Sequence, residues 1–165
     1  MPRSLAEWLS YQDRVNLHSI ELGLDRVREV WQRMGAPRPA PRVITVAGTN
    51  GKGSTVALLE AMLKAAGWLV GAFTSPHLLA YNERIAIDGA PVDDAALIES
   101  FERIEAARAE ISLTYFEFGA LAAVDLFARA GVDVAVLEVG LGGRLDAVNI
   151  IDADVAVITT VDLDH

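Results

Sequence analysis

A loop in the first half of the chain carries the residue types of a phosphate-binding site. Residues 48–55 are Gly-Thr-Asn-Gly-Lys-Gly-Ser-Thr, between a β-branched run and a long apolar stretch. Glycines let backbone N–H groups turn toward an anion, and the start of a helix adds donors and the positive end of a dipole. A lysine adds a point charge, and a hydroxyl can reach Mg²⁺. The alternative is a strand–helix turn that binds no ligand, but the context favours a nucleotide loop.

The spacing of this loop differs from the most familiar phosphate-loop pattern, G-x-x-x-x-G-K-[ST]. Gly51 and Lys52 fit it, but Val46 occupies the position of the first glycine, and Gly53 follows the lysine. The hydroxyls therefore come one residue later than expected. Lys52 is also one of only two lysines among fourteen basic residues. A lysine kept inside a glycine loop, in a chain that otherwise uses arginine, indicates a specific role.

Three further polar residues stand where a ligand could bind, and each has an ordinary structural explanation. Glu138 ends an apolar run, where a carboxylate is costly unless it is paired or bound to a metal. An ion pair with Arg144 is the alternative for that carboxylate. Ser75 follows another apolar run and, by local chemistry alone, is a turn or helix-cap serine. His165, the last residue, is by itself typical of solvated surface.

The elements that position these residues alternate between strands and helices. The patterns predict strands at 42–48, 69–75, 133–140 and 154–161, a hairpin at 83–92, and helices at 4–11, 23–34, 53–66, 93–111 and 115–130. The helix at 53–66 is expected to be buried on most sides because it is almost wholly apolar. Such alternation predicts an α/β fold, a mostly parallel sheet with helices on both faces. Ligands in such sheets bind beyond the carboxyl ends of the strands, where the polar loops fall.

Composition limits the classes of protein to consider. The chain has 165 residues, of which 52% are hydrophobic, so it can bury a core and is not a disordered polymer. The net charge of −9 disfavours nucleic acid and anionic membrane surfaces as partners. The absence of cysteine excludes disulfides and thiolate sites. With no signal-peptide pattern and no membrane-length apolar run, we expect a soluble cytoplasmic protein.

The loop resembles the form G-x-x-G-K-[GST]-[ST] of the Mur ligase superfamily, which uses ATP to join carboxylates to amino acids. Further segments, in the expected order, resemble motifs of folylpolyglutamate synthase/dihydrofolate synthase of the bacterial bifunctional type: WLSYQDRVNLHSIELGLDRV, TSPHLLAYNERI, LTYFEFGALAA, LEVGLGGRLDAVNI and DADVAVITTVDLDH. The resemblance implies a P-loop NTPase-like Mur ligase central domain with a small β-hairpin.

The resemblance also implies roles for particular residues. The implied cofactors are ATP and Mg²⁺, with Lys52, Glu138 and His165 as catalytic residues. The implied ATP site is Gly48, Thr49, Asn50, Gly51, Lys52, Gly53, Ser54 and Thr55. The implied Mg²⁺ ligands are Ser75, Glu138 and His165, with Ser54 added from its loop position. The implied dihydropteroate site is Ile20, Glu21, Leu22, Thr114, Tyr115, Phe116, Glu117, Leu145, Asp146 and Ala147. Periodicity alone instead makes Phe116 and Phe118 helix core. His18 and His77 receive no metal role, and His77 is expected to order its loop.

The implied reaction adds L-glutamate to dihydropteroate, to folyl-polyglutamate, or to both, through an acyl phosphate. We expect amino-terminal helices and a linker at 1–42, and a truncated ATP-binding domain at 43–165. We expect the carboxyl-terminal glutamate-ligase domain of the family to lie outside these 165 residues, and the chain alone to have little or no activity. Its partners are expected to be small molecules, and its full-length form a monomer.

The sequence leaves three other interpretations open. A Mur-type ligase acting on a cell-wall precursor shares the loop, but SPHLLAYNERI and TYFEFG argue against it. A nucleotide-binding module without chemistry is a second possibility for a chain of this length. A generic P-loop kinase is disfavoured by the spacing of the loop.

Overall fold

The computed structural model describes residues 3–15 and 23–162. Five α-helices lie within these ranges: α1 (Leu5–Val15), α2 (Asp25–Arg33), α3 (Lys52–Ala65), α4 (Asp94–Arg108) and α5 (Tyr115–Ala130). Six strands accompany them: β1 (Arg42–Ala47), β2 (Val70–Phe73), β3 (Ile85–Ile87), β4 (Ala90–Pro91), β5 (Val134–Glu138) and β6 (Val155–Ile158). Two short 3-10 helices span Tyr81–Arg84 and Ala147–Ile150.

The strands form one sheet in the order β4-β3-β2-β5-β1-β6. Strands β1, β2, β5 and β6 run parallel, whereas β3 and β4 form an antiparallel hairpin on the edge of β2. In the register of the sheet, Val46 lies opposite Glu138, and Ala47 lies opposite Ile158. The carboxyl ends of the parallel strands therefore meet at one edge, where the phosphate loop and Glu138 come together. The predicted α/β fold, with its mostly parallel sheet and hairpin, is confirmed.

Helices cover both faces of the sheet, but unequally. The larger core lies under α1, α2, α4 and α5, with Phe73, Phe101, Phe118 and Phe127 fully buried. The amino-terminal helices share this core through Trp8, Val27 and Val30. The smaller core packs α3, through Val56, against β1, β2 and β5.

The expectation that the apolar segment at 53–66 is buried on most sides is wrong for the described chain. Val56 is the fully buried residue of α3, whereas Leu58 and Met62 are 64% and 67% exposed. The reason is that α3 lies against the sheet by one side, and no other described helix joins its core cluster. An apolar sequence cannot tell which of its sides has a neighbour.

Capping residues fix the helix ends near the ligand edge. The Thr114 hydroxyl accepts the amide N–H of Glu117, and the Glu117 carboxylate accepts the amide of Thr114, so α5 begins at Tyr115. Helix α5 ends at Gly131, whose φ of 66° is left-handed, as its sequence predicts. Helix α4 is capped by Asp93 and ends at Arg108, three residues before the predicted end. No helix in the described part of the chain is long and apolar enough to cross a bilayer.

Candidate functional site

The phosphate loop joins β1 to α3 with the geometry that anion binding requires. Gly51 precedes α3 in a left-handed conformation with φ of 82°, which favours glycine. The helix starts at Lys52, and the first amides of an α-helix have no partner within the helix. The Lys52 ammonium donates to the carbonyl oxygens of Gly48 and Thr49 at 2.7 and 3.3 Å. Lysine, loop and helix start thus form one cationic, donor-rich turn.

Residues after β6 hold the other side of this loop. The amide of Thr49 donates to the carbonyl of Thr160 at 2.8 Å, and the Thr159 hydroxyl donates to the carbonyl of Asn50 at 2.7 Å. A Cβ at Gly48 would lie 2.1 Å from the Thr159 hydroxyl oxygen, so the approach leaves no room for a side chain. These two threonines stand in TTVDLDH, but the sequence alone did not single them out. Their role depends on the order of the strands, which places β6 beside β1.

A cavity of about 730 Å³ opens beside the loop, with room for a nucleotide. It is lined by the loop, by the glycine-rich segment after β5 and by the residues after β6: Ala47, Gly48, Thr49, Lys52, Val139, Gly140, Leu141, Gly142, Gly143, Ile158, Thr160, Val161 and Asp162. Of the predicted ATP-binding residues, Gly48, Thr49 and Lys52 line it directly. We refer to it as the nucleotide cavity.

Glu138 lies at the end of β5 and is only 4% exposed. Burial raises the pKa of its carboxyl group, while the hydrogen bond from the Ser75 amide, at 3.0 Å, and the charge of Lys52 oppose that rise. No ion pair between Glu138 and Arg144 is found in the described residues, so the alternative explanation for this carboxylate is not supported. A buried acid with a raised pKa and no cationic side chain bonded to it suits a site that binds a cation.

The donor set near Glu138 fits a hard divalent cation. Its Oε1 atom lies 3.9 Å from the position of a Cβ on Gly53, and therefore faces the start of α3, where Ser54 follows. Ser75 reaches the same carboxylate through its amide. Mg²⁺ prefers oxygen ligands such as a carboxylate or a hydroxyl, and it keeps several waters. His165 lies outside the described residues, and within them no three acidic or histidine side chains cluster as a metal site.

A second cavity, of about 380 Å³, lies on the other side of the glycine-rich segment. We refer to it as the aromatic cavity. Its lining includes all seven predicted substrate residues that the structure describes: Thr114, Tyr115, Phe116, Glu117, Leu145, Asp146 and Ala147. The lining is completed by Gly23, Ser75, Pro76, Arg84, Gly140 and Leu141. The predicted residues Ile20, Glu21 and Leu22 lie outside the described residues.

The two phenylalanines of TYFEFG, Phe116 and Phe118, differ in how deeply they are buried. Phe118 is fully buried and packs edge-on against Phe101, with ring centres 6.4 Å apart. Phe116 is only partly buried and lines the aromatic cavity. The centre of its ring lies 5.6 Å from the centre of the Phe73 ring. A Cβ on Gly140 would lie 2.6 Å from the Phe116 ring, so this glycine admits the ring to the cavity wall. Helix periodicity places both residues in the core, which agrees with the burial of Phe118 but not with the position of Phe116 at the cavity.

The two acidic residues of this cavity already have partners. Glu117 is 3% exposed and pairs with Arg26 at 3.0 Å. Asp146 is 4% exposed, and its carboxylate accepts the amides of Gly140, Leu141 and Val148 at 2.9, 2.9 and 3.1 Å. Burial raises the pKa of Asp146, and these three amides act against that rise. Asp146 thus fixes the start of the glycine-rich segment.

Gly140 and Leu141 line both cavities and form the wall between them. The Asp146 carboxylate holds their amides, so the wall has a defined position. A compound in the aromatic cavity and a phosphate chain in the nucleotide cavity would therefore lie next to each other. Such adjacency is what transfer of a phosphoryl group between two bound molecules requires.

Arg84 and its neighbour His77 also have no ligand role in the sequence-based prediction. Arg84 lines the aromatic cavity, and its Nε–H donates to His77 Nδ1 at 2.8 Å. The expectation that His77 orders its loop agrees with this contact. The sequence around Arg84 does not indicate a ligand role, because an arginine in a chain rich in arginine is usually solvated.

Comparison with known proteins adds sequence similarity to this geometry. Residues 46–165 match the Mur ligase middle domain. The dihydrofolate synthase/folylpolyglutamate synthase of Escherichia coli (strain K12) is 56% identical over 161 residues, which are 98% of this chain and 38% of that relative. The chain thus spans about two fifths of the length of the curated relatives it matches.

Solved structures of such proteins have the same fold over nearly the whole chain. The E. coli FolC protein in complex with DHPP and ADP has a TM-score of 0.97 and 55% identity, covering 99% of this chain and 39% of that one. A bifunctional folylpolyglutamate synthase/dihydrofolate synthase with Mn, AMPPNP and L-glutamate bound has a TM-score of 0.93 and 55% identity, with the same coverage.

Proposed function

The chain belongs to the Mur ligase family, and on that premise we propose that it provides the nucleotide and pteroate sites of an ATP-dependent ligase. The reaction joins L-glutamate to dihydropteroate, to folyl-polyglutamate, or to both. The observation that carries the proposal is the shared wall of Gly140 and Leu141 between a phosphate-loop cavity and an aromatic cavity.

In the proposed reaction, a carboxylate oxygen of the pteroate or folate attacks the γ-phosphorus of ATP. This gives an acyl phosphate and ADP. The amine of L-glutamate then attacks the acyl carbon, forms the amide, and releases phosphate and a proton. The protein mainly positions the reactants and neutralises charge. Lys52, which lines the nucleotide cavity, and the amides at the start of α3 hold the triphosphate.

Mg²⁺ would be held by Ser54, Ser75, Glu138 and His165. When bound, it neutralises phosphate charge in the triphosphate. Glu138 requires ionisation for this role, and the nearby Lys52 and the Ser75 amide favour its charged form.

The aromatic cavity is proposed to hold the flat pteroate rings. Tyr115 and Phe116 offer ring surfaces, and Glu117 and Asp146 are held rigidly beside them. Support comes from the similar protein solved with DHPP and ADP and from the one solved with Mn, AMPPNP and L-glutamate. The ligands bound in these two similar proteins favour this function over that of a cell-wall ligase or of a nucleotide-binding module without chemistry.

We further propose that the protein acts in the cytoplasm, on small molecules, and as a monomer. The net charge of −9 supports a role away from nucleic acid. We place the domain boundary near residue 42, before β1, so that residues 43–165 form the ATP-binding unit. Size-exclusion chromatography with light scattering measures the molar mass in solution and so tests whether the protein is a monomer.

The test is a calorimetric titration of this chain with AMPPNP and Mg²⁺, followed by 7,8-dihydropteroate. Wild type is compared with Lys52→Ala and with the matched control Lys64→Ala, which removes the other lysine of the chain. Lys64 contacts Asp88 in the β3–β4 hairpin, away from the nucleotide cavity. We expect Lys52→Ala to weaken AMPPNP binding by at least ten-fold and Lys64→Ala to leave it within two-fold.

Saturable binding of dihydropteroate supports the pteroate assignment. Equal AMPPNP affinity in wild type and Lys52→Ala contradicts the nucleotide site. Binding of a UDP-sugar in place of dihydropteroate would instead favour the cell-wall ligase.

A further inference from the structure

Arg84 stands at the ligand edge of the sheet and lines the aromatic cavity. It ends the 3-10 helix Tyr81–Arg84 and is followed directly by β3. Because β3 runs antiparallel to β2, its first residues lie opposite the carboxyl end of β2. The carbonyl of Arg84 accepts the amide of Thr74 at 2.9 Å. The next residue, Ser75, donates its amide to Glu138, and both Ser75 and Arg84 line the aromatic cavity.

The guanidinium group of Arg84 is held in place by an imidazole nitrogen and two aromatic rings. Its Nε–H donates to His77 Nδ1 at 2.8 Å. Its central carbon lies 5.5 Å from the centre of the Tyr81 ring and 5.4 Å from that of Tyr115. These contacts fix the position of the group, and none of the described residues gives it an acidic partner. An arginine that is ordered before any anion binds loses less side-chain entropy on binding one.

Three other arginines of the described chain that are at least partly buried bond to carboxylates. Arg26 pairs with Glu117, Arg103 with Asp125, and Arg108 with Glu105. For the Nη atoms of Arg84, no hydrogen bond or ion pair is found among residues 3–15 and 23–162. Arg84 therefore offers two nitrogen donors to a ligand.

The remaining charges of the aromatic cavity do not compete for Arg84. Glu117 is bonded to Arg26 and to the Thr114 amide, and Asp146 is occupied by three backbone amides. The cavity thus combines aromatic walls with one cation that no described carboxylate neutralises. A ligand that matches both features has a flat ring and an anionic group.

We propose that Arg84 binds the carboxylate of an aromatic acid whose ring lies against Tyr115 and Phe116. The inference rests on the proposed function, because dihydropteroate is an aryl carboxylic acid whose carboxylate must reach the nucleotide. Two Nη donors match the two oxygens of a carboxylate, which gives orientation as well as affinity. Arg84 would hold the reacting end of the substrate at the wall formed by Gly140 and Leu141.

The test compares 7,8-dihydropteroate with its neutral primary amide, in calorimetric titrations of wild type, Arg84→Met and Arg84→Lys with Mg²⁺ and AMPPNP present. Arg42→Met is the matched control, because Arg42 also lies over an aromatic ring, Trp68 at 4.7 Å, but outside the aromatic cavity. Loss of a charge-assisted hydrogen bond predicts an increase in the Kd of the acid of about 10- to 100-fold in Arg84→Met. The Kd of the amide should change by less than about three-fold, and Arg84→Lys should be intermediate for the acid.

Equal weakening of acid and amide in Arg84→Met would overturn the proposal, since the side chain would then only shape the cavity. An unchanged affinity for the acid would overturn it as well. Thermal unfolding of each variant identifies any loss of fold, and in that case the acid-to-amide ratio of Arg84→Lys decides.

A titration with p-aminobenzoate separates this proposal from the proposed function. Wild type that binds p-aminobenzoate in an Arg84-dependent manner but does not bind dihydropteroate would support the carboxylate site at Arg84. The same result would contradict the proposed pteroate function. If wild type binds neither acid, both proposals are overturned.

Discussion

Gly48 is the position at which the phosphate loop tolerates substitution least. Its φ of +132° is rarely adopted by residues with a side chain. A Cβ there would lie 2.1 Å from the Thr159 hydroxyl oxygen, 2.9 Å from the Thr160 carbonyl oxygen and 3.1 Å from the Thr159 amide nitrogen. The hydroxyl can rotate away, but the two backbone atoms cannot. They are held by hydrogen bonds of Thr159 with Ala47 at 3.0 Å and of Thr160 with Thr49 at 2.8 Å.

The expected effect of Gly48→Ala has two parts. Backbone strain costs about 1–3 kcal/mol, and overpacking costs about 1–3 kcal/mol more. The free energy of unfolding should fall by their sum, about 2–6 kcal/mol. For a chain of this size each kcal/mol lowers Tm by about 2–4 °C, so Tm should fall by about 4–24 °C. Since a shifted loop also misplaces the amides of α3, AMPPNP affinity should fall too.

The matched control is Gly142→Ala, in the wall of the same cavity. Gly142 has a φ of +69°, but nothing lies within 4 Å of its Cβ position. Substitution there carries only the left-handed strain of about 1–2 kcal/mol. Differential scanning calorimetry of both variants therefore measures the extra cost at Gly48, which combines its contacts with Thr159 and Thr160 and its less common φ. If Gly48→Ala unfolds at the same temperature as Gly142→Ala and binds AMPPNP as wild type does, the reasoning is wrong.

Two further predictions concern the residues around the site. Thr114→Ala removes the cap of α5 and should lower the free energy of unfolding by about 0.5–2 kcal/mol, while Thr114→Ser should keep most of it; equal denaturant midpoints for Thr114→Ala and wild type would contradict this. Glu138→Gln should raise Tm at pH 7 in the absence of nucleotide and metal, because burial raises the pKa of Glu138 and its ionised form lowers stability above that pKa. The difference in Tm from wild type should vanish as the pH falls below about 4.3, where the carboxyl is protonated in both states. A lower Tm for Glu138→Gln at pH 7 would show that the ionised group is favourably paired.

Local signals sufficed for much of the fold. Helix α5 spans the predicted residues because Thr114 and Gly131 mark its ends by chemistry that acts within a few residues. The hairpin forms at Asp88-Gly89 for the same reason, since the left-handed turn is encoded in two residues. The phosphate loop could be recognised because its glycines, lysine and hydroxyls are contiguous.

Features that depend on distant segments could not be predicted in this way. The contacts of Thr159 and Thr160 with the loop arise only once β6 pairs with β1. Asp146 was assigned to the substrate by resemblance, but its bonds to three nearby amides became visible only in three dimensions. Arg84 and Tyr115 are more than thirty positions apart in sequence and meet because α5 packs near β2.

The wall of Gly140 and Leu141 has a thermodynamic consequence for any pair of ligands in the two cavities. Because the same two residues contact both cavities, a shift in the wall that improves the fit of one ligand changes the surface offered to the other. The resulting coupling free energy must be reciprocal. If a nucleotide tightens the binding of an aromatic acid by some factor, that acid must tighten the binding of the nucleotide by the same factor. The carboxylate of Asp146 holds the amides of both wall residues, so any such shift must move or stretch those two hydrogen bonds.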